Sequence, residues 1–457
     1  MSALTLDLAR LASGLRLCDL SDPAQHWAKR AITDTLACAL AGVNEPAVRL
    51  AVGVLPASPG PSLVFGTGHR LHPLDAAQIN GIAAHALDFD DCNLEMDGHP
   101  SVSIVPGLFA LAEARNASGA QVLTAYVAGV EAEIRLARIA NPAHAERGWH
   151  PTVTFGVIGA AVAAAHLMRL SPEHTATAMS IAASSAAGLR ANSGTMTKPF
   201  HAGQANRNGV QAALLAEAGY TARLSALEHK FGFLRAFGDS FDVDPGPALD
   251  GWGKDFALLS PGIAIKQYPC CAFIHCAIDA AAQLRGDIKT AQIERIEVAL
   301  HHKRLKNIDR PMPKDGLDAK FSTQHLTARA LIDGTVGLDD FRPERVFDPT
   351  VVALAAKVAL VPHDEGLSMG RVHVWLADGR HLSAEATVAM GRDPSNPMTQ
   401  SQVRAKFHDC VPPSDQSTAL FDALMQLETF PSLAPITAAM CPPPPQIKTG
   451  GNHVFVF

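Results

Sequence analysis

The run from Val153 to Ala165 carries no charge and little besides Ala, Gly, Val and Ile, behind a Pro151 suited to a first helical turn. This predicts a helix from Pro151 to about Met168 that is apolar on every side. Such a helix offers no face to water, so it must lie at the centre of a bundle or in an interface. It is too short to cross a bilayer. The chain must therefore wrap further helices around it.

The flanking sequence supplies them. Ser21-Asp22-Pro23 gives a cap and an N1 proline, Ile32, Leu36 and Leu40 recur at helical spacing, and Gly42 ends the pattern. A helix over 75–87 is expected next, then one from Ile104 to Ala114. Ser118 and Gln121 have capping-box spacing ahead of a long apolar face (Val122, Tyr126, Val127, Val130, Ile134). Ser171-Pro172-Glu173 caps another helix to about Ala187. The segment 60–73 reads as loop with one short strand, Ser62 to Phe65. Gly188 to Gly209 reads as a loop of small and polar residues feeding a helix that stops at Gly219.

From about residue 267 the pattern changes. Ile293 to Leu300 alternates as a strand with Ile296, Val298 and Leu300 on one face. Val372 to Val388 reads as a hairpin around Asp378-Gly379, the pair that a type I′ turn prefers. Helical patterns near 275–284, 322–333 and 350–358 lie between, making a small α+β unit. Thr399 then caps a return to helices through about Leu427, and the proline-rich tail 441–457 is expected to be poorly ordered.

Composition narrows the function classes. The chain has 457 residues, 47% hydrophobic and only 18% charged, which suits close-packed helices and a buried interface. A net charge of −6 and 6% aromatic residues argue against nucleic-acid or polyphosphate surfaces and against base-stacking platforms. Asp7 stands where a signal peptide wants basic residues, so a soluble cytoplasmic protein without membrane contact is expected. The eight cysteines form no CxxC pair, which favours reduced thiols over disulfides or a zinc site.

The stretch from His85 to Pro100 is the place for chemistry. Asp88, Asp90 and Asp91 crowd together at a helix C-terminus, where they repel one another and oppose the macrodipole, so a cation or a proton must face them. His99 follows on a Gly-His-Pro turn, an imidazole able to share a pocket with Asp88. The bland alternative is a capping cluster and a solvated loop. His150 precedes Pro151 at a helix start, beside free backbone N–H groups that suit a carboxylate. Lys198 and His201 add a cation and an imidazole near another helix start, although a lone lysine is ordinarily a solvent-facing residue. Lys266 to His275, with Cys270 and Cys271, lies where the helical part gives way to the α+β part, a favoured place for clefts. His325 sits in the first turns of a helix. An aspartate-rich magnesium–diphosphate site is a rival for 88–91, but no second acidic motif accompanies it.

Taken in order, HALDFDD (85–91), GHPS (98–101), GWHPTVTFG (148–156), KPFHAGQANRNG (198–209), LEHKFGF (227–233), KQYPCC (266–271) and KFSTQH (320–325) resemble the MmgE/PrpD superfamily. GRDPSNPMT (391–399) fits the same order, and the similarity spans roughly 5 to 430. The resemblance implies a mostly α fold: a discontinuous all-α domain (1–266 and 398–440) and a smaller inserted α+β lid (267–397). It also implies a homodimer with a metal-free active cleft and no cofactor. Asp88, His99, His150, Lys198 and Lys266 match the family's active-site positions, with Cys92, His201, Cys271 and His325 as substrate-binding candidates. Cys92 stands where threonine is usual, His325 where tyrosine is expected, and Cys271 aligns with a further histidine. Asn93 to Asp97 replaces a longer Trp-containing segment of the dehydratases.

The implied chemistry is removal of a proton, or of CO2, beside a carboxylate of a small di- or tricarboxylic acid. Lys198 and Lys266, with the His150 region, would hold carboxylates and absorb developing charge. His99 or His150 would move the proton, and Asp88 would orient an imidazole. Departure of a β-substituent makes the enzyme a lyase, the reading preferred here. Return of the proton to the opposite face makes it an epimerase of an iminodisuccinate-like amino-dicarboxylate. A dimer that only binds an acid metabolite is the non-catalytic alternative, motivated by Cys92, Cys271 and His325.

Overall fold

The computed structural model describes residues 3–55, 58–238, 244–288, 292–391 and 395–441. The tail beyond Cys441 and residues 392–394 of the Gly391–Thr399 stretch lie outside these. With 58% helix and 10% strand the fold is mostly α with a small sheet. It divides into two compact units. One takes the chain to Ala86, Asp90–Ile263 and the chain from Gln400; the other takes Leu87–Phe89 and Ala264–Thr399. Among the described residues no single helix is long and apolar enough to cross a membrane.

The first unit opens with α1 (Leu4–Gly14), α2 (Asp22–Gly42) and α3 (Pro46–Val54), then a two-stranded ribbon of β1 (Pro59–Leu63) and β2 (Arg70–Leu71). Strand β1 starts and ends earlier than the expected Ser62–Phe65, because the Phe65 N–H is taken by Asn80 Oδ1 at 2.9 Å. There follow α4 (Pro73–His85), α5 (Val105–Arg115), α6 (Gly119–Ala140), α7 (Ala143–Glu146), α8 (Pro151–Thr154), α9 (Gly156–Leu167), α10 (Pro172–Ser184) and α11 (Thr197–Glu217). Short α12 (Phe233–Phe237) and α13 (Gly246–Leu249) close this part.

Helix α9 is the centre that its composition demanded. Every residue from Gly156 to Leu167 except His166 is buried, and the helix packs on α6, α10 and α11. Its small residues permit close approach: a Cβ on Gly209 of α11 would meet the Ala160 Cβ at 2.4 Å.

Helix α11 corrects the sequence reading. It begins at Thr197, so the small polar run 201–209 is helix rather than loop. Pro199 is tolerated because first-turn N–H groups have no intrahelical acceptor. The glycines serve packing instead. Helices α4 and α11 run antiparallel, joined by Asp75–Arg207 at 2.5 Å and Gln78–Gln204 at 2.9 Å, with Gly81 against Gly203 where they touch. This sets His85, the last residue of α4, beside the first turns of α11.

In the second unit, α14 (His275–Leu284), α15 (His302–Ile308), α16 (Gly316–Ala319), α17 (Thr323–Asp333), α18 (Pro343–Val346) and α19 (Pro349–Ala355) accompany a four-stranded sheet. Its order is β4-β3-β5-β6, from β3 (Ile293–His301), β4 (Val358–His363), β5 (Gly370–Leu376) and β6 (His381–Ala386), with only the β3–β4 pair parallel. Ile296, Val298 and Leu300 share a core with α14 and α17. Strand β4 was hidden in the sequence by Pro362, which its place at the sheet edge allows. The β5–β6 turn is not type I′. Only Gly379 has positive φ (85°), Gly379 N–H bonds Leu376 O and Leu376 N–H bonds Arg380 O, the pattern of a three-residue loop with a glycine bulge.

The chain re-enters the first unit as α20 (Gln400–Cys410), α21 (Asp415–Leu424) and α22 (Ala434–Ala439). A buried ion pair, Lys406 Nζ to Asp34 Oδ1 at 2.6 Å, ties α20 to α2.

Candidate active site

The three carboxylates of the acidic stretch meet three different partners. Asp88, at a positive φ of 52°, places an oxygen 3.2 Å from Lys266 Nζ, which also donates to the Asp88 carbonyl at 2.8 Å. Asp90 Oδ2 lies 2.8 Å from His85 Nδ1 and 3.1 Å from His99 Nδ1. Asp91 accepts from the Ser101 hydroxyl and, at 3.2 Å, from the Ser101 N–H; Ser101 Oγ also lies 2.6 Å from the Tyr126 hydroxyl. Burial pushes Asp91 well above the usual carboxylate range, with Asp34 and Asp90 adding to it against the pull of Ser101. The protonated form of Asp91 is favoured in this way. Burial would also raise Asp90, but His85 and His99 outweigh it and hold Asp90 well below the usual value, ionised. Both a cation and a proton thus face the cluster. None of this resembles an open oxygen cage for magnesium.

In the first unit the chain brings His85, Asp90, His99, His150, Lys198 and His201 together. The Gly98-His99-Pro100 turn is closed by Asn93 N–H to Gly98 O at 2.9 Å and docked on α8 by His99 N–H to Thr152 Oγ1 at 3.1 Å. Gly98 is required there, since a Cβ would lie 2.8 Å from Thr152 N. His150 caps α8 and donates its N–H to Gly188 O at 3.0 Å, which fixes its loop. Its Nδ1 lies 3.2 Å from His201 Nδ1. Lys198 and His201 are three residues apart in the first turns of α11, so they share a face, and both are buried. Ring centroids lie 4.7 Å apart for His85–His99, 6.0 Å for His85–His150 and 5.4 Å for His150–His201.

The electrostatics follow from four rings and an ammonium in little water. His150 is held well below the ordinary imidazole value by burial, then by Lys198, His85 and His201. His85 is pulled down to about 3 by burial and Lys198, against the opposing effect of Asp90. His201 is lowered by burial and Lys198. These three rings are neutral at neutral pH, each with a lone pair beside a cation. That arrangement can hold an anion and accept a proton.

The second unit holds the Asp88–Lys266 pair, Cys271 and His325. Cys271 donates its N–H to Lys320 O at 2.9 Å, and Lys320 Nζ, itself buried, donates to Pro269 O at 2.7 Å. His325 lies in the first turn of α17 with its N–H on Ser322 Oγ at 3.1 Å. Burial, then Arg329, lowers its ring to about 4 against Asp340. Cys92 is buried beside Asp91 in the first unit.

Sequence reasoning missed His85, Asp90 and Lys320. His85 and Asp90 stand inside the HALDFDD stretch, but the spacing alone does not show that the chain folds back at Asp88 to join them. His85, Asp90 and His99 also offer one ligand atom each within 4.8 Å, the donor set of a three-ligand metal site.

The sequence matches the model of the MmgE/PrpD N-terminal domain over residues 6–246 and that of the C-terminal domain over 268–424. It is 29% identical over 473 residues to cis-aconitate decarboxylase of Homo sapiens, covering 98% of this chain and 97% of that protein. To the Mus musculus cis-aconitate decarboxylase it is 30% identical over 428 residues, 89% of this chain and 86% of that one. To mitochondrial 2-methylcitrate dehydratase of Yarrowia lipolytica it is 27% identical over 372 residues, 75% and 69% of the respective chains.

Proposed function

This chain belongs to the MmgE/PrpD family and is an enzyme of its lyase type, and on that premise we propose that it removes CO2 or water next to a carboxylate of a small di- or tricarboxylic acid. The observation that carries the proposal is the buried group of neutral imidazoles around Lys198. A proton beside a carboxylate is lost only if the resulting enediolate is stabilised as it forms. A preorganised ammonium in a dry site does this with no cost of reorganisation. In loss of water a ring kept neutral at the operating pH takes the proton, and in loss of CO2 the carbanion left behind must receive one, so there the ring acts as imidazolium after taking a proton from solvent.

In this reading Lys198, with His150 and His201, holds a substrate carboxylate and absorbs developing charge. Lys266, held by Asp88, is a second carboxylate-binding cation, a role supported by the family resemblance. Cys92, Cys271 and His325 set substrate choice. No metal takes part: the two Nδ1 atoms at Asp90 are read as donors to its anion, and the nearby ammonium disfavours a further cation. The protein works as a homodimer, which light scattering tests directly.

One observation favours the epimerase as second reading. His99 and His150 come from different loops of one cluster of rings, and an epimerase needs one group to remove the proton and another to return it.

The test is a panel of acids, headed by cis-aconitate and 2-methylcitrate and including amino-dicarboxylates, followed by proton NMR in D2O with and without EDTA. A new alkene or released CO2, unchanged by EDTA, is the expected result. Deuterium uptake next to a carboxylate with no new alkene assigns the epimerase. Saturable shifts without exchange or turnover overturn both and leave a binding protein.

A further inference from the structure

We propose that Asp90 and His85 are positioning residues that hold His99 as the imidazole moving the proton, while His150 and His201 serve the anion. This rests on the lyase reading above and deepens it. Two rings converge on one carboxylate oxygen: His85 Nδ1 at 2.8 Å and His99 Nδ1 at 3.1 Å from Asp90 Oδ2. An ionised carboxylate only accepts, so the hydrogen-bonded His85 Nδ1 carries hydrogen, and the same tautomer is assigned to His99, whose Nδ1 stands in ion-pair contact with the same oxygen. That fixes each ring in one tautomer and turns its Nε2 lone pair away from Asp90. The His85 side chain is wholly enclosed, and its Nε2 meets no hydrogen-bond partner among the described residues. The His99 side chain is 13% exposed. Of the two lone pairs, a substrate reaches that of His99.

The other pair is built differently. His150 and His201 face each other through Nδ1 atoms at 3.2 Å, and Lys198, His85 and His201 are the charged or titratable neighbours acting most strongly on His150. Among the described residues the strongest influences on His150 all oppose a proton there, whereas one arriving on His99 is stabilised by Asp90. Carboxylates that hold an imidazole tautomer in this way stabilise the imidazolium formed during proton transfer. His85 tempers the effect. By taking part of the same oxygen it divides the anion, which leaves His99 less basic than an undivided Asp90 would make it. Among the described residues of this unit, Asp90, Lys198 and His99 act most strongly on His85, and His99 in turn acts on Asp90 and His150.

The test uses the full chain and whichever panel acid the wild type converts, with cis-aconitate first. Asp90→Asn is expected to lower kcat by about 10²–10³-fold with KM within about threefold. Because the anion favours the imidazolium, its loss moves the His99-dependent limb of the pH–rate profile to lower pH, the acid limb where His99 removes a proton and the alkaline limb where it supplies one after loss of CO2. His85→Gln leaves Asp90 to His99 alone, so the same limb moves to higher pH. A merely structural role would not shift the two profiles in opposite directions. Independently of turnover, the wild type should show two far-downfield Nδ1–H proton resonances, both lost in Asp90→Asn and one lost in His85→Gln. Unshifted profiles, resonances that survive Asp90→Asn, or a stoichiometric metal that the wild type holds and Asp90→Asn loses would each overturn the assignment. A wild type inert towards the whole panel sinks the lyase reading, and the resonances still judge the clamp.

Discussion

Lys198→Ala is expected to lower kcat/KM by about 10³-fold and to move the acid limb of the pH–rate profile upward. Two separate consequences of one buried cation combine here. The ammonium in the first turn of α11 is the cation that acts on the buried rings of His85, His150 and His201, and removing a single preorganised donor from such a site costs about 10²–10³ in kcat. A full charge acting on substrate binding as well takes the loss in kcat/KM to the upper end of that range. The pH effect has a fixed sign. Lys198 lowers His85, His150 and His201, so deleting it lets each ring protonate at higher pH, and the base is lost earlier on acidification. Lys198→Met keeps the side-chain bulk and should behave like alanine. Lys198→Arg keeps the charge and should recover part of the rate, since a planar guanidinium does not replace a compact ammonium point for point. Steady-state rates across pH with the accepted acid give both readouts. A wild-type rate in Lys198→Met would remove the lysine from the site.

How much of this was written in the sequence depends on whether the signal was local. The apolar run Val153–Ala165 demanded a central helix, and α9 is one. The Ser118–Gln121 capping box and the Ser21 and Ser171 caps are present where their spacing put them. The acidic stretch announced that a cation or proton must face it, and Lys266 stands beside Asp88 while burial favours the protonated form of Asp91. What was not legible is which carboxylate meets which partner. Asp88 was expected to orient an imidazole, yet the oxygen shared by His85 and His99 belongs to Asp90. The left-handed backbone at Asp88 swings the next two residues back, and any of the three aspartates could have adopted it. The run 201–209 misled for a related reason. Gly and Asn lower helix propensity, but here tertiary contact decides, because Gly203 and Asn206 are the residues on which α4 closes.

Gly203→Ala, the second large effect, is expected to destabilise the protein by about 1–3 kcal/mol and to lower kcat more than it raises KM. A Cβ at 203 would lie 2.5 Å from Gln78 O and 2.6 Å from Ile82 Cγ1. The first of these is helix backbone, which cannot swing aside, so α4 and α11 must part. Alanine's better helix propensity returns only about 0.5–1 kcal/mol. The chemical consequence follows from where the two helices end. The last residue of α4 is His85, and the first turns of α11 carry Lys198 and His201, so a separation at Gly203 loosens the rings from the ammonium. Small misplacements of this kind cost rate steeply because the reacting groups no longer meet in line. Gly53→Ala is the control: it too lies within a helix, α3, but nothing stands within 4 Å of its Cβ position, so the same substitution should be neutral or slightly stabilising. Urea midpoints of the two variants decide the matter. If Gly203→Ala melts with Gly53→Ala and keeps its rate, the helices are not in the contact that holds the site together.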